Sequence, residues 1–139
     1  MASIGEEFLE VWHRLVASRD LPAPEKVLAT DVAMGELPDW DRLEGRPRVH
    51  HLLDWIIPTI EDFTYDCERY DTSRGHEEFA LDFRGHVAPL ELEGIDLIRL
   101  NPQGEVQTFD VMIRPMNALE ALRDVIAPKM AAYLRENVR

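Results

Sequence analysis

The stretch GIDLIRLNPQGEVQTFDVMIRP, from Gly94 to Pro115, predicts two antiparallel β-strands joined by a hairpin. Apolar and polar residues alternate on both sides of Asn101-Pro102-Gln103-Gly104, a sequence typical of a turn. Asp96 departs from this pattern, because it stands in line with Leu92 and Ile98 on the apolar face. The strand therefore places a carboxyl group among hydrophobic side chains.

Two explanations for Asp96 are open from the residues alone. In the first, Asp96 faces the interior, where lost hydration favours the neutral carboxyl and raises its pKa. In the second, Gly94 marks a β-bulge and Ile95 turns to the core. Asp96 would then form a surface ion pair with Arg99 or Arg84.

The segments before this hairpin predict helices followed by strands. Ser3 and Glu6 fit a capping box for a first amphipathic helix that ends near Ser18. The remaining elements are a short helix from Pro24 that carries Val27 and Leu28, a strand over Asp31 to Leu37, a helix from Arg46-Pro47 to Pro58, and strands over Phe63 to Tyr70 and Phe79 to Phe83.

The end of the chain predicts one more helix. Pro115 ends the last strand, Asn117 with Glu120 can cap the helix, and Pro128 breaks or kinks it. Helices followed by consecutive hairpin-connected strands favour an α+β fold, in which an antiparallel sheet curls around the helices. We expect residues 1–139 to form a single domain, because the length is ordinary for one domain.

Charge and composition narrow the class of partner. The chain has 15 basic and 27 acidic side chains, so its formal net charge of -12 would repel nucleic acid and anionic membranes. Apolar runs are too short to cross a bilayer, and neither a signal peptide nor a pair of cysteines indicates export. We therefore expect a cytoplasmic protein with no nucleic-acid or membrane partner.

Three motifs together resemble the nuclear transport factor 2-like superfamily, and most closely its SnoaL-like and ketosteroid isomerase-like branch. They are LATDVAM (28–34), EGRPRVHHLLDWI (44–56) and the hairpin GIDLIRLNPQGEVQTFDVMIRP (94–115). The resemblance covers nearly the whole chain. It implies a cone-shaped barrel, in which a strongly curved antiparallel sheet wraps around N-terminal helices and a C-terminal helix completes the fold.

The resemblance also implies a catalytic pair. Asp96 matches the position where ketosteroid isomerases keep a carboxylic acid neutral in an apolar site, so that it donates a hydrogen bond to the developing oxyanion. Glu36 falls near the carboxylate that moves the proton in those enzymes. Trp12 stands where they carry a catalytic tyrosine, and an indole N–H cannot usefully exchange a proton. Tyr65 is a candidate to supply a hydroxyl from elsewhere.

If the cone is right, aromatic and aliphatic side chains converge on an apolar pocket. The candidate substrate-binding residues are Trp12, Leu53, Tyr65, Phe79, Phe83, Ile98, Phe109 and Ile113. Such a pocket suits a neutral, hydrophobic small molecule, although the same side chains could simply fill the core. The protein would then be either an acid/base enzyme or a non-catalytic ligand-binding or dimerisation module.

Few other features of the sequence indicate a site. No phosphate-binding loop, nucleophile elbow or cysteine pair is present, so we expect no cofactor. His50, His51 and Asp54 lack a further ligand at metal-site spacing, and we expect no metal. The outer face of the sheet, with Val106, Thr108 and Met112 among its candidates, would stay uncovered, which predicts a homodimer.

Overall fold

A computed structural model describes residues 3–18, 27–35 and 42–137. These residues form three helices, Ile4–Ser18 (α1), Arg46–Thr59 (α2) and Met116–Glu136 (α3), and six strands, Leu28–Gly35 (β1), Arg42–Glu44 (β2), Glu61–Asp71 (β3), Glu78–Val87 (β4), Leu90–Leu100 (β5) and Val106–Arg114 (β6). The fold is α+β, as the sequence predicts.

The six strands form one curved sheet in the order β2-β1-β6-β5-β4-β3. Neighbouring strands are antiparallel except β1 and β6, which run parallel, so the sheet is mixed rather than wholly antiparallel. The sheet does not close, because β2 and β3 each have a neighbour on one side only. The predicted cone is confirmed as an open, curved sheet with helices against its inner face.

Aromatic contacts fix α1 against the inner face of the sheet. The ring centroids of Trp12 and Phe109 on β6 are 5.4 Å apart, and those of Phe8 and Phe79 on β4 are 5.3 Å apart. The Ser3 side chain caps the helix by accepting a hydrogen bond from the Glu6 backbone N–H at 3.1 Å, as its sequence predicts. This packing carries Trp12, which is 1% exposed, to the centre of the fold.

Two element predictions are wrong near the N-terminus. Leu28 begins β1 instead of belonging to a short helix, because the Val106 backbone N–H donates to the Val27 carbonyl and Leu28 aligns with Val106 in the parallel β1/β6 pair. Pairing with a distant strand overrides local helix propensity here. The strand β2 was not predicted at all. Pro24, Leu37 and the candidate base Glu36 lie outside the described residues.

The last helix also differs from its prediction. Helix α3 continues through Pro128 to Glu136, and Pro115 rather than Asn117 occupies the N-cap position, with no side-chain cap. Buried contacts on both sides of the proline, by Ile126 and Met130, keep the helix continuous. Tertiary packing compensates for the backbone hydrogen bond that Pro128 cannot donate.

One residue predicted for the outer face is in the core. Val106 is fully buried, because the register shifts between Arg99 and Leu100 and places Val106 opposite Leu100 on the inner face. Thr108 is half-buried, whereas Met112 is 58% exposed on the outer face. Within the described part of the chain, no helix combines the length and hydrophobicity that a membrane span requires.

Candidate active site

Asp96 lies on the inner face of β5 and is 5% exposed. The pairing of β4 with β5 runs without interruption through Gly94, which aligns with Phe83, so there is no bulge to turn Asp96 outward. Arg84, one of the two arginines considered as a surface partner, instead pairs with Asp66 and Glu93. Of the two explanations open from the sequence, the buried one describes the structure.

Burial raises the pKa of the Asp96 carboxyl to about 7, and a hydrogen bond from Tyr65 opposes this rise. No basic side chain among residues 3–18, 27–35 and 42–137 forms an ion pair with Asp96. The carboxyl therefore changes charge near neutral pH, where an acid/base catalyst operates best.

A hydrogen-bond chain joins Asp96 to α1. The Trp12 indole N–H donates to the Tyr65 hydroxyl oxygen over 2.8 Å, and the Tyr65 O–H donates to Oδ2 of Asp96 over 2.7 Å. Burial, and next the charge of Asp96, raise the pKa of the Tyr65 phenol well above its usual value. The structure thus sets the Tyr65 phenol from β3 between Trp12 of α1 and Asp96 of β5.

Most of the predicted pocket residues lie close together, but their side chains are packed as part of the hydrophobic core. Six of them, at 1–3% exposed, belong to one continuous hydrophobic core: Trp12, Leu53, Phe79, Phe83, Ile98 and Phe109. Tyr65 and Ile113 are partly exposed and pack against that core. The role of these eight side chains in binding a substrate remains a prediction.

A cleft of about 260 Å³ borders Tyr65 at the end of α1. Its lining residues are His13, Val16, Ala17, Ile57, Asp62, Phe63 and Tyr65. A larger groove of about 450 Å³ includes outer-face residues such as Ile95 and Met112, and it includes neither Asp96 nor Tyr65. Of these two depressions, only the smaller one lies next to the hydrogen-bond chain.

His13 and Glu68 were not among the predicted site residues. Nε2 of His13 lies 2.8 Å from Oε2 of Glu68, and the His13 and Tyr65 ring centroids are 5.8 Å apart. His13 and Trp12 both contact Tyr65 from α1. Glu68 reaches this side of the sheet because β3 contains an extra residue between Tyr65 and Cys67.

The sequence contains one indirect signal of that extra residue. Tyr65 and Tyr70 are five positions apart, so a regular strand would place them on opposite faces. In the structure both face inward, with Tyr65 opposite Phe83 and Tyr70 opposite Phe79. The change of phase in the aromatic pattern marks the β-bulge at Asp66.

The histidines on α2 do not form a metal site within the described residues, where no cluster of three or more potential ligands occurs. The His51 ring instead packs 4.6 Å from Tyr133 on α3 and 5.8 Å from Trp55, measured between ring centroids. These contacts help to join α2 to α3.

No protein-family model matches the sequence, and a search of curated proteins found no match either. The structure is similar to that of a steroid delta-isomerase from Pseudomonas aeruginosa, with 31% sequence identity, a TM-score of 0.86 and coverage of 97% of both chains.

It is also similar to an uncharacterized protein with a cystatin-like fold from Silicibacter pomeroyi DSS-3, with 27% identity, a TM-score of 0.83, and coverage of 93% of this chain and 90% of that one. An NTF2-like protein of unknown function from Mesorhizobium loti shares the fold at 17% identity and a TM-score of 0.62, over 81% of this chain and 92% of that one. The chain belongs to the nuclear transport factor 2-like superfamily, which its sequence motifs resemble.

Proposed function

We propose that the protein binds a neutral, hydrophobic small molecule and catalyses an acid/base reaction of the isomerase, dehydratase or cyclase type. The observation that carries this proposal is the chain from Trp12 through Tyr65 to the buried carboxyl of Asp96. Similarity to a steroid delta-isomerase over nearly the whole chain supports it. Glu36 is the sequence-based candidate for the base.

The protonation state of Asp96 determines what Tyr65 can donate to. When Asp96 is ionised, the Tyr65 O–H is engaged by the carboxylate. When Asp96 is neutral, its own O–H can donate to the phenol oxygen, and the Tyr65 O–H becomes available to a ligand. A phenol oxygen that accepts hydrogen bonds from both Trp12 and Asp96 is a stronger donor, because hydrogen bonds in a chain polarise one another.

Such a donor suits a reaction in which negative charge develops on an oxygen. Preorganised donors in a site shielded from water stabilise an oxyanion in the transition state, and removal of one typically costs 10²- to 10³-fold in rate. The matching substrate is a carbonyl compound that forms an enolate. Tyr65 would bind its oxygen, with Asp96 and Trp12 holding the phenol in place.

The charge and size of the cleft restrict the substrate further. Asp62 lines the cleft, Glu68 lies next to His13, and the net charge is -12, all of which disfavour an anionic ligand. The volume of about 260 Å³ is slightly below the usual range for drug-sized ligands. We therefore favour a compact neutral ketone, or a larger one that is only partly enclosed.

Isomerisation of β,γ-unsaturated ketones tests this function directly. The two probes are cyclohex-3-en-1-one and androst-5-ene-3,17-dione, whose conjugated products are followed by ultraviolet absorbance. We expect turnover by the wild type, and a loss of about 10²-fold or more in kcat for Tyr65→Phe with a smaller change in KM. Absence of turnover, and of deuterium uptake at the carbon next to the carbonyl, would refute the proposal for this substrate class.

The alternative is a non-catalytic ligand-binding or dimerisation module. The dense packing of six predicted pocket residues in the core favours it. Separate Asp96→Asn and Glu36→Gln variants discriminate between the two functions. A catalytic pair loses turnover and largely keeps its fold, whereas a structural pair loses melting temperature and leaves ligand binding little changed.

We also propose that the protein forms a homodimer through the outer face of the sheet, where Met112 is 58% exposed beside half-buried Ile95. Sedimentation at micromolar concentration tests this, and a monomer would contradict it. A cytoplasmic location, independence from cofactors and a lack of nucleic-acid partners remain predictions from the sequence.

A further inference from the structure

The cleft beside Tyr65 contains a second acid/base group that belongs to neither the predicted catalytic pair nor the hydrogen-bond chain. His13 and Tyr65 both line it, and their ring centroids are 5.8 Å apart. The remaining lining combines apolar side chains, such as Val16 and Phe63, with the carboxylate of Asp62. An imidazole and a phenol thus meet at one small cleft.

Glu68 prepares His13 to accept a proton. Nε2 of His13 lies 2.8 Å from a Glu68 oxygen, although their directions do not meet hydrogen-bond geometry. The carboxylate therefore acts mainly through its charge, which favours the tautomer with the proton on Nε2. Nδ1 then keeps the lone pair that can receive a proton.

The exposure of the His13 ring is consistent with these different roles of Nε2 and Nδ1. The His13 side chain is 41% exposed, but Nε2 itself is buried. The exposed part of the side chain therefore lies among its other atoms, and of these only Nδ1 can take up a proton. Because Nε2 is buried beside Glu68, Nδ1 is the ring nitrogen through which His13 could act on a substrate in the cleft.

The β-bulge in β3 is an independent observation that points to the same site. Tyr65 and Glu68 are three positions apart, so in a regular strand they would face opposite sides of the sheet. The extra residue, Asp66, brings both to the inner side, with Tyr65 opposite Phe83 and Glu68 opposite Leu81. Bulges often occur next to active sites, where they redirect a side chain.

We propose that His13, positioned by Glu68, is the proton acceptor of this cleft and acts on a small, neutral β,γ-unsaturated ketone whose oxygen is bound by Tyr65. The proposal rests on the proposed function and deepens it. The bond between hydrogen and the carbon next to the carbonyl breaks, and the proton goes to Nδ1. Its electron pair forms the enolate, whose oxygen accepts a hydrogen bond from Tyr65.

Return of the same proton completes the reaction. The imidazolium gives it to the far carbon of the former double bond, and the carbonyl re-forms as the conjugated ketone is released. No oxidant or other reactant is consumed. Asp62 borders the cleft, and a Glu68 carboxylate oxygen lies 2.8 Å from Nε2 of His13.

The test compares His13→Gln with His76→Gln in the isomerisation of cyclohex-3-en-1-one. His76 is a matched control, because its Nε2 also lies 2.8 Å from a carboxylate, that of Glu78, but it is not among the lining residues of the cleft. We expect His13→Gln to lose about 10²-fold or more in kcat/KM, and His76→Gln to stay near the wild type. Melting temperatures show whether each variant is folded.

Glu68 is tested as a positioning residue. In Glu68→Gln the loss should be smaller than in His13→Gln and should fall on kcat more than on KM, and Glu68→Asp should recover part of it. Binding of the product, cyclohex-2-en-1-one, gives a second readout without turnover. The ring signals of His13 and Tyr65 should shift in NMR spectra, and those of His76 should not.

The outcomes distinguish a failure of His13 as the base from a failure of the proposed function. If the wild type is active and His13→Gln retains its rate and pH profile, the inference is overturned, and loss of activity in Glu36→Gln would then identify Glu36 as the base. If the wild type neither isomerises the ketone nor exchanges its acidic hydrogen with deuterium, the proposed function fails and the inference fails with it. If product shifts neither His13 nor Tyr65, the cleft is not the site.

Discussion

The buried carboxyl of Asp96 should make the stability of the fold depend on pH. Its pKa is about 7 in the folded protein, against 3.8 in an unfolded chain. Between these values the folded state binds more protons than the unfolded state, so the free energy of unfolding falls as pH rises. The contribution is fully present below about pH 4 and is lost as pH rises through 7.

The magnitude follows from the two pKa values. Linkage gives a total loss of about 4 kcal/mol across the whole window, of which about 2.5 kcal/mol falls between about pH 5 and about pH 8. Asp96→Asn is nearly isosteric and cannot ionise, so it should lack this contribution while keeping those of all other groups.

Urea unfolding of the wild type and Asp96→Asn at both pH values measures the difference. The wild type should lose about 2.5 kcal/mol more than the variant as pH rises. Equal losses in the two proteins would refute the claim that Asp96 is buried and neutral. Carbon-13 NMR titration of the Asp96 carboxyl gives an independent value for its pKa.

Three further perturbations follow from the same structure. Tyr65→Phe should raise the pKa of Asp96 above about 7, because it removes a hydrogen bond that stabilises the ionised carboxyl. The same NMR titration measures this change. Gly94→Ala should cost about 2 kcal/mol in urea unfolding, since its Cβ would lie 2.5 Å from the Met112 carbonyl oxygen and from Phe83; an unchanged midpoint would contradict this contact. Met112→Lys should turn a homodimer into a monomer in sedimentation experiments, if the outer face is the interface.

The hairpin could be derived from local pattern, because alternation and turn residues act between near neighbours, whereas the burial of Asp96 was one of two explanations that the pattern left open. The starting point of β1 could not, since Leu28 is held in a strand by β6. The local sequence favoured a helix that carries Val27 and Leu28, and the pairing with β6 places Leu28 in a strand instead. Nor could the position of Val106 be derived, because it depends on a register shift after Arg99.

The candidate site likewise contains residues that the sequence indicates and residues that it does not. The sequence indicates Asp96, because it is a carboxyl group on the apolar face of a strand. It also offers Tyr65 as a possible hydroxyl donor. The contact between His13 and Glu68 joins a helix to a strand about 50 residues later, and the intervening bulge changes which side chains face inward. The periodicity of a helix predicts the direction of the His13 side chain relative to Trp12. It does not predict which side chain His13 contacts.

The bulge at Asp66 makes the site depend on the number of residues in β3 more than on their kind. The side chain of Asp66 forms an ion pair with Arg84 on the exposed side of the sheet, where substitution is usually tolerated. Inserting one residue between Cys67 and Glu68 would instead change the alternation between them, so Tyr65 and Glu68 could no longer face the same side. A length change of one residue could therefore abolish the arrangement while every side chain of the site was retained.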